Sequence, residues 1–246
     1  MGRELEVFSD YVFESETHYY GTGKGVQIFA KILANNPFCP FEAPDLYVKS
    51  QDYVFIIEHF EFSSYKETRK GSTYRQEEAR IQRKSDNVIP TTKPVVLDDV
   101  IHGESSYQNY VDNVLKAFQA HYLHIDEYIH NLRCAGVLEQ QQVKVMFLIE
   151  DVSPLGSVVG NNGWDPSIKL VTLAHCKEFL NILRVSPRVD YVIACSSYSS
   201  QNYSWFIDNH ELDVYYANAE DFAVMNFISF RPHVITAKIA IEDELN

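Results

Sequence analysis

Short, almost uninterrupted apolar runs alternate with amphipathic stretches along this chain, a pattern typical of α/β proteins. The runs 53–57, 143–149 and 189–195 have the length of strands and few polar residues, as expected of strands buried on both faces of a sheet. In 107–132 apolar residues return at steps of three and four, which predicts one long helix. Further predicted elements are mainly helical structure over 3–35, helices over 73–83 and 173–184, and strands over 212–216 and 234–240.

The order of these elements predicts a mixed central sheet with helices on its faces. Residues 45–48 and 53–62 are predicted strands with a polar break of turn length between them, and so form a β-hairpin. The helix over 107–132 then leads to the strand over 143–149 as a crossover. We interpret 1–246 as a single domain and the polar, charged segment 64–106 as an insertion in it.

The register of this hairpin decides which side chains become neighbours. If Gln51 and Asp52 form a two-residue turn, Asp45 lies directly opposite Glu58, with Cβ atoms about 4.5–5.5 Å apart. A turn centred one residue earlier would place Asp45 opposite Ile56 instead. Two adjacent carboxylates repel each other unless a cation, a proton or solvent relieves the repulsion, and a divalent metal ion would do so.

These residues resemble the motif of the PD-(D/E)xK nuclease superfamily. The match consists of Pro44-Asp45 at the start of one strand and the Glu58 that ends an apolar run in the next, and the order of helix, hairpin, crossover helix and strand resembles the core of that family. The resemblance implies a restriction-endonuclease-like core and metal-dependent cleavage of nucleic acid phosphodiesters. It also implies that Asp45 and Glu58 are catalytic and hold Mg²⁺ or Mn²⁺.

The chain departs from that motif at Phe60, which stands where the family has a lysine. Phenylalanine binds neither a water nor a phosphate, so the lysine needs a replacement. Lys66 and Lys70, just beyond the strand, are the candidates for a catalytic lysine. His59 or Glu61 could serve as another base, but in a regular strand both face away from the Asp45–Glu58 pair. The alternative is a catalytically inactive nuclease fold, or an unrelated acidic protein, that serves as an interaction module with a protein partner.

Charge is distributed unevenly along the chain. The acidic total favours the interaction module, whereas one basic segment favours the nuclease. The net charge is −13, which is unusual for a nucleic-acid-binding protein, yet residues 66–84 contain seven basic and three acidic side chains. That segment therefore carries +4 and the remainder −17. The segment supplies the predicted nucleic-acid-binding residues, which are Arg69, Lys70, Arg75, Arg80 and Arg83.

Other features of the sequence limit the functional classes. His121, His124 and Glu127 fall on one helical stripe that could offer ligands to zinc or iron, although a structural role is the favoured interpretation. The four cysteines form no CxxC pair, and no apolar run of about 18 residues exists to span a membrane. We therefore expect reduced thiols and a cytoplasmic protein, and the sequence leaves the oligomeric state open.

Overall fold

The fold is described from a computed structural model. It describes residues 3–12, 18–21, 27, 36–69, 71–88, 95–154, 156–160, 168–198, 201–228 and 233–238. The α-helices are α1 (Arg3–Val12), α2 (Thr73–Asp86), α3 (Tyr107–Leu123), α4 (Ile125–Cys134), α5 (Lys177–Arg184) and α6 (Leu212–Ala217). The strands are β1 (His18–Gly21), β2 (Phe38–Pro40), β3 (Leu46–Lys49), β4 (Tyr53–Phe62), β5 (Glu67–Thr68), β6 (Gly71–Ser72), β7 (Val95–Val100), β8 (Gln142–Asp151), β9 (Val158–Gly160), β10 (Lys169–Leu170), β11 (Tyr191–Tyr198), β12 (Gln201–Asp208), β13 (Asn226–Ile228) and β14 (His233–Lys238).

A seven-stranded mixed sheet lies at the centre of the protein, in the order β1-β12-β11-β8-β4-β3-β2. Strands β4, β8 and β11 are parallel to one another, whereas β3 and β12 run antiparallel to β4 and β11. Helices α3 and α4 connect β4 to β8, and α5 lies between β8 and β11 in the chain. The prediction of an α/β fold with a mixed sheet and flanking helices is confirmed.

Each face of the sheet packs against helices. One face, called here the α3 face, buries Val54, Phe147 and Val192 with α3, α4 and α5. The other, called here the α1 face, buries Ile57 and Leu148 with α1. Because both faces of β4 and β8 are covered, their apolar runs are continuous rather than alternating.

The hairpin has the predicted register. Leu46 lies opposite Ile57 and Lys49 opposite Val54, and the Ser50 N–H donates to the Tyr53 carbonyl at 2.8 Å across the Gln51-Asp52 turn. This register brings the residues just outside the ladder, Asp45 and Glu58, next to each other. It results from local sequence, since the turn length alone sets the pairing.

Several predicted elements differ in the structure. Residues 18–21, expected in a helical region, form β1 parallel to β12, and 201–208 was not predicted as a strand. Residues 212–216, predicted as a strand, belong to α6 because Leu212 and Tyr215 bury one helical stripe. The helix predicted over 107–132 is interrupted at His124, whose N–H bonds the carbonyl three residues earlier at 3.1 Å. Most of residues 22–35 lie outside the described part of the chain.

None of the helices in the described ranges is long and apolar enough to cross a membrane. The four cysteines, all in described segments, are free thiols as expected.

The N-terminus of α3 is capped by a side chain. The Ser106 Oγ accepts the Asn109 backbone N–H at 3.1 Å. We expect Ser106→Ala to lower the free energy of unfolding by about 1 kcal/mol, because that N–H loses its partner. Urea denaturation measures the change, with Gln108→Ala at an exposed position of the same helix as the control. Equal destabilisation by both substitutions would show that the cap has no special role.

Candidate metal centre

A group of ionisable side chains lies on the α1 face at the edge of the sheet where β4, β8 and β11 end. Parallel strands place their carboxyl ends at one edge, and ligands commonly bind there. Glu61 of β4 lies beside Glu150 of β8 in the parallel ladder, and His59 lies two residues earlier on the same face. One ligand atom of each, His59, Glu61 and Glu150, lies within 4.8 Å of the others. These three residues, called here the His-Glu-Glu cluster, could hold a metal ion.

The cluster is only slightly exposed to solvent. The exposed fractions of the His59 and Glu150 side chains are 7% and 12%, and the Nε2–H of His59 donates to Glu150 Oε2 at 3.2 Å. The Glu61 side chain is 18% exposed. Two carboxylates on adjacent strands repel each other, and partial burial strengthens the repulsion. The arrangement therefore favours a positive charge between the two glutamates.

Two neighbouring side chains contact this cluster. Arg75, at the start of α2, donates from Nη2 to Glu61 Oε2 at 2.6 Å. Tyr11 of α1 donates to Glu150 Oε1 at 3.4 Å and lies 2.8 Å from Ser197 Oγ. Burial raises the pKa of Tyr11 well above its usual range, so its hydroxyl stays protonated and can donate to Glu150. Arg75 supplies positive charge and Tyr11 fixes one glutamate.

The sequence-predicted pair, Asp45 and Glu58, is brought together by the hairpin, but its polar atoms are engaged by the protein. The Asp45 backbone N–H donates to Glu58 Oε2 at 3.3 Å, and the His59 backbone N–H donates to Asp45 Oδ2 at 2.7 Å. On Glu58 Oε1, the His121 Nδ1–H donates at 2.9 Å and the Tyr128 hydroxyl at 2.7 Å. Glu58 is buried on the α3 face, opposite to the His-Glu-Glu cluster.

Phe60 occupies the motif's lysine position and packs against the same network. Its ring stacks on the His121 imidazole with centroids 4.5 Å apart. Burial, and then the Glu58 carboxylate, raise the pKa of Tyr128, which keeps that hydroxyl a donor. The buried Glu58 is thus stabilised by an imidazole and a phenol. A cation shared by Asp45 and Glu58 would have to displace these hydrogen bonds.

The predicted basic residues have separate surroundings. Lys66 pairs with Glu104 at 3.1 Å on the surface, and Lys70 lies outside the described residues. Arg69 is exposed, and the Arg83 Nε–H donates to the Ala79 carbonyl at 3.0 Å. Arg80 contacts Glu77 at 3.2 Å and Asp99 at 3.6 Å. Of this predicted set, considering its described members, Arg75 is the one that contacts the His-Glu-Glu cluster.

The helical stripe of His121, His124 and Glu127 does not converge on one point. His121 contacts Glu58 inside the protein, whereas His124 and Glu127 pair with each other at 2.8 Å on the surface. The interruption at His124 turns the following residues, so that Tyr128 joins His121 at Glu58. The structural role favoured for His121 fits these contacts.

Asp151 ends β8 on the α3 face, directly after Glu150. The carboxyl group is buried, its Oδ1 accepts the Ser153 N–H at 2.9 Å, and its Oδ2 has no hydrogen-bond partner in the described structure. Burial raises the pKa of Asp151 to about 6. Successive residues of one strand point to opposite faces, so Asp151 is separated from the His-Glu-Glu cluster by the sheet itself.

The sequence placed His59 and Glu61 on the face away from Asp45 and Glu58, but it did not show that Glu150, from a distant strand, joins them. The argument used for Asp45 and Glu58, that adjacent carboxylates call for a cation, applies equally to Glu61 and Glu150. Only the parallel pairing of β4 with β8 makes them neighbours. The sequence signal for Glu150 was the acidic pair Glu150-Asp151 at the end of a buried strand, a position where ligand-binding residues are frequent.

Comparison with known proteins gives no relative from which a role could be taken. No protein-family model matches the chain, and neither a curated protein nor a solved structure matches it.

Proposed function

We propose that this protein is a metal-dependent hydrolase that cleaves phosphodiester bonds in nucleic acid, with the metal ion held by His59, Glu61 and Glu150. The observation that carries the proposal is the His-Glu-Glu cluster, whose ligand atoms lie within 4.8 Å of one another. It lies at the edge of the sheet where α/β proteins bind ligands. The predicted pair Asp45–Glu58 is the second candidate for the metal site.

The donor set limits the choice of ion. One imidazole nitrogen with two carboxylates suits Mn²⁺ or Zn²⁺ better than Mg²⁺, because Mg²⁺ prefers oxygen ligands alone. We therefore take Mn²⁺ as the leading ion and retain Mg²⁺ from the family resemblance. Three protein ligands leave further coordination positions for a water and a substrate oxygen. When bound, such an ion supplies an activated water and neutralises charge developing on the phosphate.

The residues around the cluster have roles that fit this chemistry. Tyr11 donates to Glu150 and so holds that carboxylate in place for the ion. Arg75 contacts Glu61. A guanidinium can also bind a phosphate group through two parallel hydrogen bonds. We propose that Arg75 supplies the positive charge that the family's lysine would provide. The remaining basic side chains of α2 would contact neighbouring phosphates.

The order of elements supports the same proposal. The chain contains, in order, a helix, the hairpin of β3 and β4, a crossover through α3 and α4, and a strand parallel to β4. This order resembles the core of the PD-(D/E)xK nucleases. Fold alone does not establish activity, so the proposal depends on the cluster.

The test is metal-dependent cleavage by the whole chain. We expect calorimetric titration of the EDTA-treated protein to show one bound Mn²⁺. Labelled single-stranded and duplex DNA and RNA should be cut with Mn²⁺ and remain intact in EDTA. Saturable Mn²⁺ binding with no cleavage of any of these substrates would contradict the hydrolase and leave a metal-binding protein. Absence of Mn²⁺, Mg²⁺ and Zn²⁺ binding would contradict the site itself.

A binding module is the second candidate function, favoured by a specific observation. Phe60 stacks on His121 where the motif has lysine, and the Glu58 carboxylate already accepts three hydrogen bonds. In this part of the chain Phe60 and Glu58 therefore have a packing and hydrogen-bonding role. Binding of an oligonucleotide or protein partner without cleavage, in the presence of each metal, is the result that would favour this candidate.

A further inference from the structure

A row of aromatic rings lies on the α3 face at the far edge of the sheet. His18 of β1 stacks on Tyr203 of β12 with centroids 5.1 Å apart, and Tyr20 stacks on Trp205 at 5.5 Å with 12° between the planes. Tyr203 and Trp205 stack along β12 at 6.0 Å. β1 is the last strand on this side of the described sheet. These four residues are called here the aromatic ladder.

A small cavity opens beside the Tyr20–Trp205 pair. Its volume is about 130 Å³, and its lining includes Tyr20, Trp205, His175 and Asn218. Cavities for drug-sized molecules are about 300–1,000 Å³, so this one is limited to a much smaller group. Tyr20 is 48% exposed although it is a large aromatic residue, so one wall of the cavity reaches solvent.

The polar groups of the cavity can recognise the edge of a heterocycle. Burial lowers the pKa of His175, so its imidazole is neutral near neutral pH and offers one N–H donor and one nitrogen acceptor. The Asn218 Nδ2 donates to the Val214 carbonyl at 2.9 Å, which fixes the side-chain amide at the rim. The Tyr215 hydroxyl is already used, since it donates to the Phe206 carbonyl at 2.8 Å.

We propose that this cavity binds a nucleobase of a single-stranded nucleic acid, with the base stacked beside Tyr20 and Trp205 and its edge bonded to His175 and Asn218. A flat ring can stack beside Tyr20 and Trp205, and donors and acceptors on its edge can bond to His175 and Asn218. Bases in a duplex are paired and stacked, so they enter such a cavity only after extrusion, at a cost in free energy. Aromatic side chains that stack on bases bind single strands with little sequence preference.

The ladder reaches the edge of the sheet that holds the His-Glu-Glu cluster. Tyr203 lies opposite Ser196, and Ser196 lies opposite Asp151, the residue after Glu150. Strands β12 and β8 are two spacings apart, about 10 Å. The ladder is on the α3 face and the cluster is on the α1 face. A single-stranded nucleic acid bound to both would therefore pass around the edge formed by the carboxyl ends of β8 and β11. The inference thus rests on the proposed function and specifies its substrate class as single-stranded nucleic acid.

The test measures binding without cleavage. The probes are short labelled oligonucleotides, as single-stranded DNA, single-stranded RNA and duplex DNA, titrated with the whole chain in EDTA and followed by fluorescence anisotropy. We expect the single strands to bind and the duplex to bind about tenfold more weakly. Tyr20→Ala should weaken single-strand binding about tenfold, since a stacked base contributes that much, and Tyr20→Phe should retain it.

A matched control and a second readout keep the test specific. Tyr53→Ala removes a partly buried tyrosine at the start of β4, far from the ladder, and should leave the affinity unchanged. The chain has two tryptophans, so Trp164→Phe leaves Trp205 as the single one, and oligonucleotides should quench its fluorescence. Circular dichroism establishes that each variant is folded.

Three results would overturn the inference. They are unchanged affinity of the Tyr20→Ala variant, equal binding of duplex and single strand, and saturation of the Trp205 quenching by a mononucleotide at the same concentration as the oligonucleotide. A failure of the proposed metal site would be detected separately, because Mn²⁺ titration and cleavage are not part of this binding measurement. Intact single-strand binding by a protein that cuts nothing would support the base pocket and contradict only the hydrolase.

Discussion

Replacement of Glu150 by Gln is expected to weaken Mn²⁺ binding at least about 100-fold and to abolish metal-dependent cleavage. The amide removes one of two anionic ligands at nearly unchanged volume, and loss of an outer partner alone typically costs about 10–100-fold in metal affinity. Glu150 contacts both His59 and Tyr11, so its carboxylate has a defined orientation. Calorimetric titration measures affinity, and labelled oligonucleotides measure cleavage.

Asp45→Asn is the variant that separates the two candidate metal sites. If the ion lies in the His-Glu-Glu cluster, this change leaves Mn²⁺ affinity within about twofold of the wild type, because Asp45 is not one of the three ligands and its Oδ2 accepts the His59 backbone N–H. Glu139→Gln, an exposed glutamate paired with Lys49, is the neutral control. Loss of Mn²⁺ binding in Asp45→Asn with normal binding in Glu150→Gln would assign the ion to the Asp45–Glu58 pair instead.

The second large effect concerns stability rather than chemistry. We expect Glu58→Ala to lower the free energy of unfolding by about 3 kcal/mol, because His121, Tyr128 and the Asp45 N–H lose a buried, charged acceptor. The network joins the hairpin to α3 and α4, so its loss affects the contact between a strand and the helices that cover it. Urea denaturation followed by circular dichroism measures the change.

Glu127→Ala provides a matched comparison for this effect. Glu127 accepts a hydrogen bond from His124 at 2.8 Å, nearly the same distance as Glu58 from His121, but the side chains of His124 and Glu127 are both more than half exposed. Exposed ion pairs contribute about 0.5 kcal/mol, so this variant should be nearly as stable as the wild type. Similar destabilisation by the two substitutions would show that burial does not determine the importance of Glu58.

Local sequence predicted the central elements of the fold correctly. The turn at Gln51-Asp52 determined the register of β3 with β4, and through it the proximity of Asp45 and Glu58. The apolar runs of β4, β8 and β11 identified the buried strands, since only strands covered on both faces are apolar throughout. Short segments were less well predicted, as β1 and α6 show, because tertiary contacts outweigh the weak preference of four to six residues.

The partners of Glu58 could not be predicted in the same way. The sequence indicated that adjacent carboxylates need a cation, a proton or solvent, and it placed His121 on one stripe of its helix with His124 and Glu127. Whether His121 and Tyr128 reach Glu58 depends on how α3 crosses the sheet and on the interruption at His124. The result is a network of an imidazole and a phenol on Glu58 that the motif alone did not suggest.

The sequence by itself determined the α/β class, the hairpin with its register, and the need for compensation wherever carboxylates end buried strands. These properties depend on residues close together in the chain, where periodicity and turn length are sufficient. The tertiary structure decided which carboxylates share a cluster, because the parallel pairing of β4 with β8 joins Glu61 to Glu150 across 89 positions of the sequence. The small cavity beside Tyr20 and Trp205 likewise depends on the pairing of β1 with β12, which no local pattern in the sequence predicted.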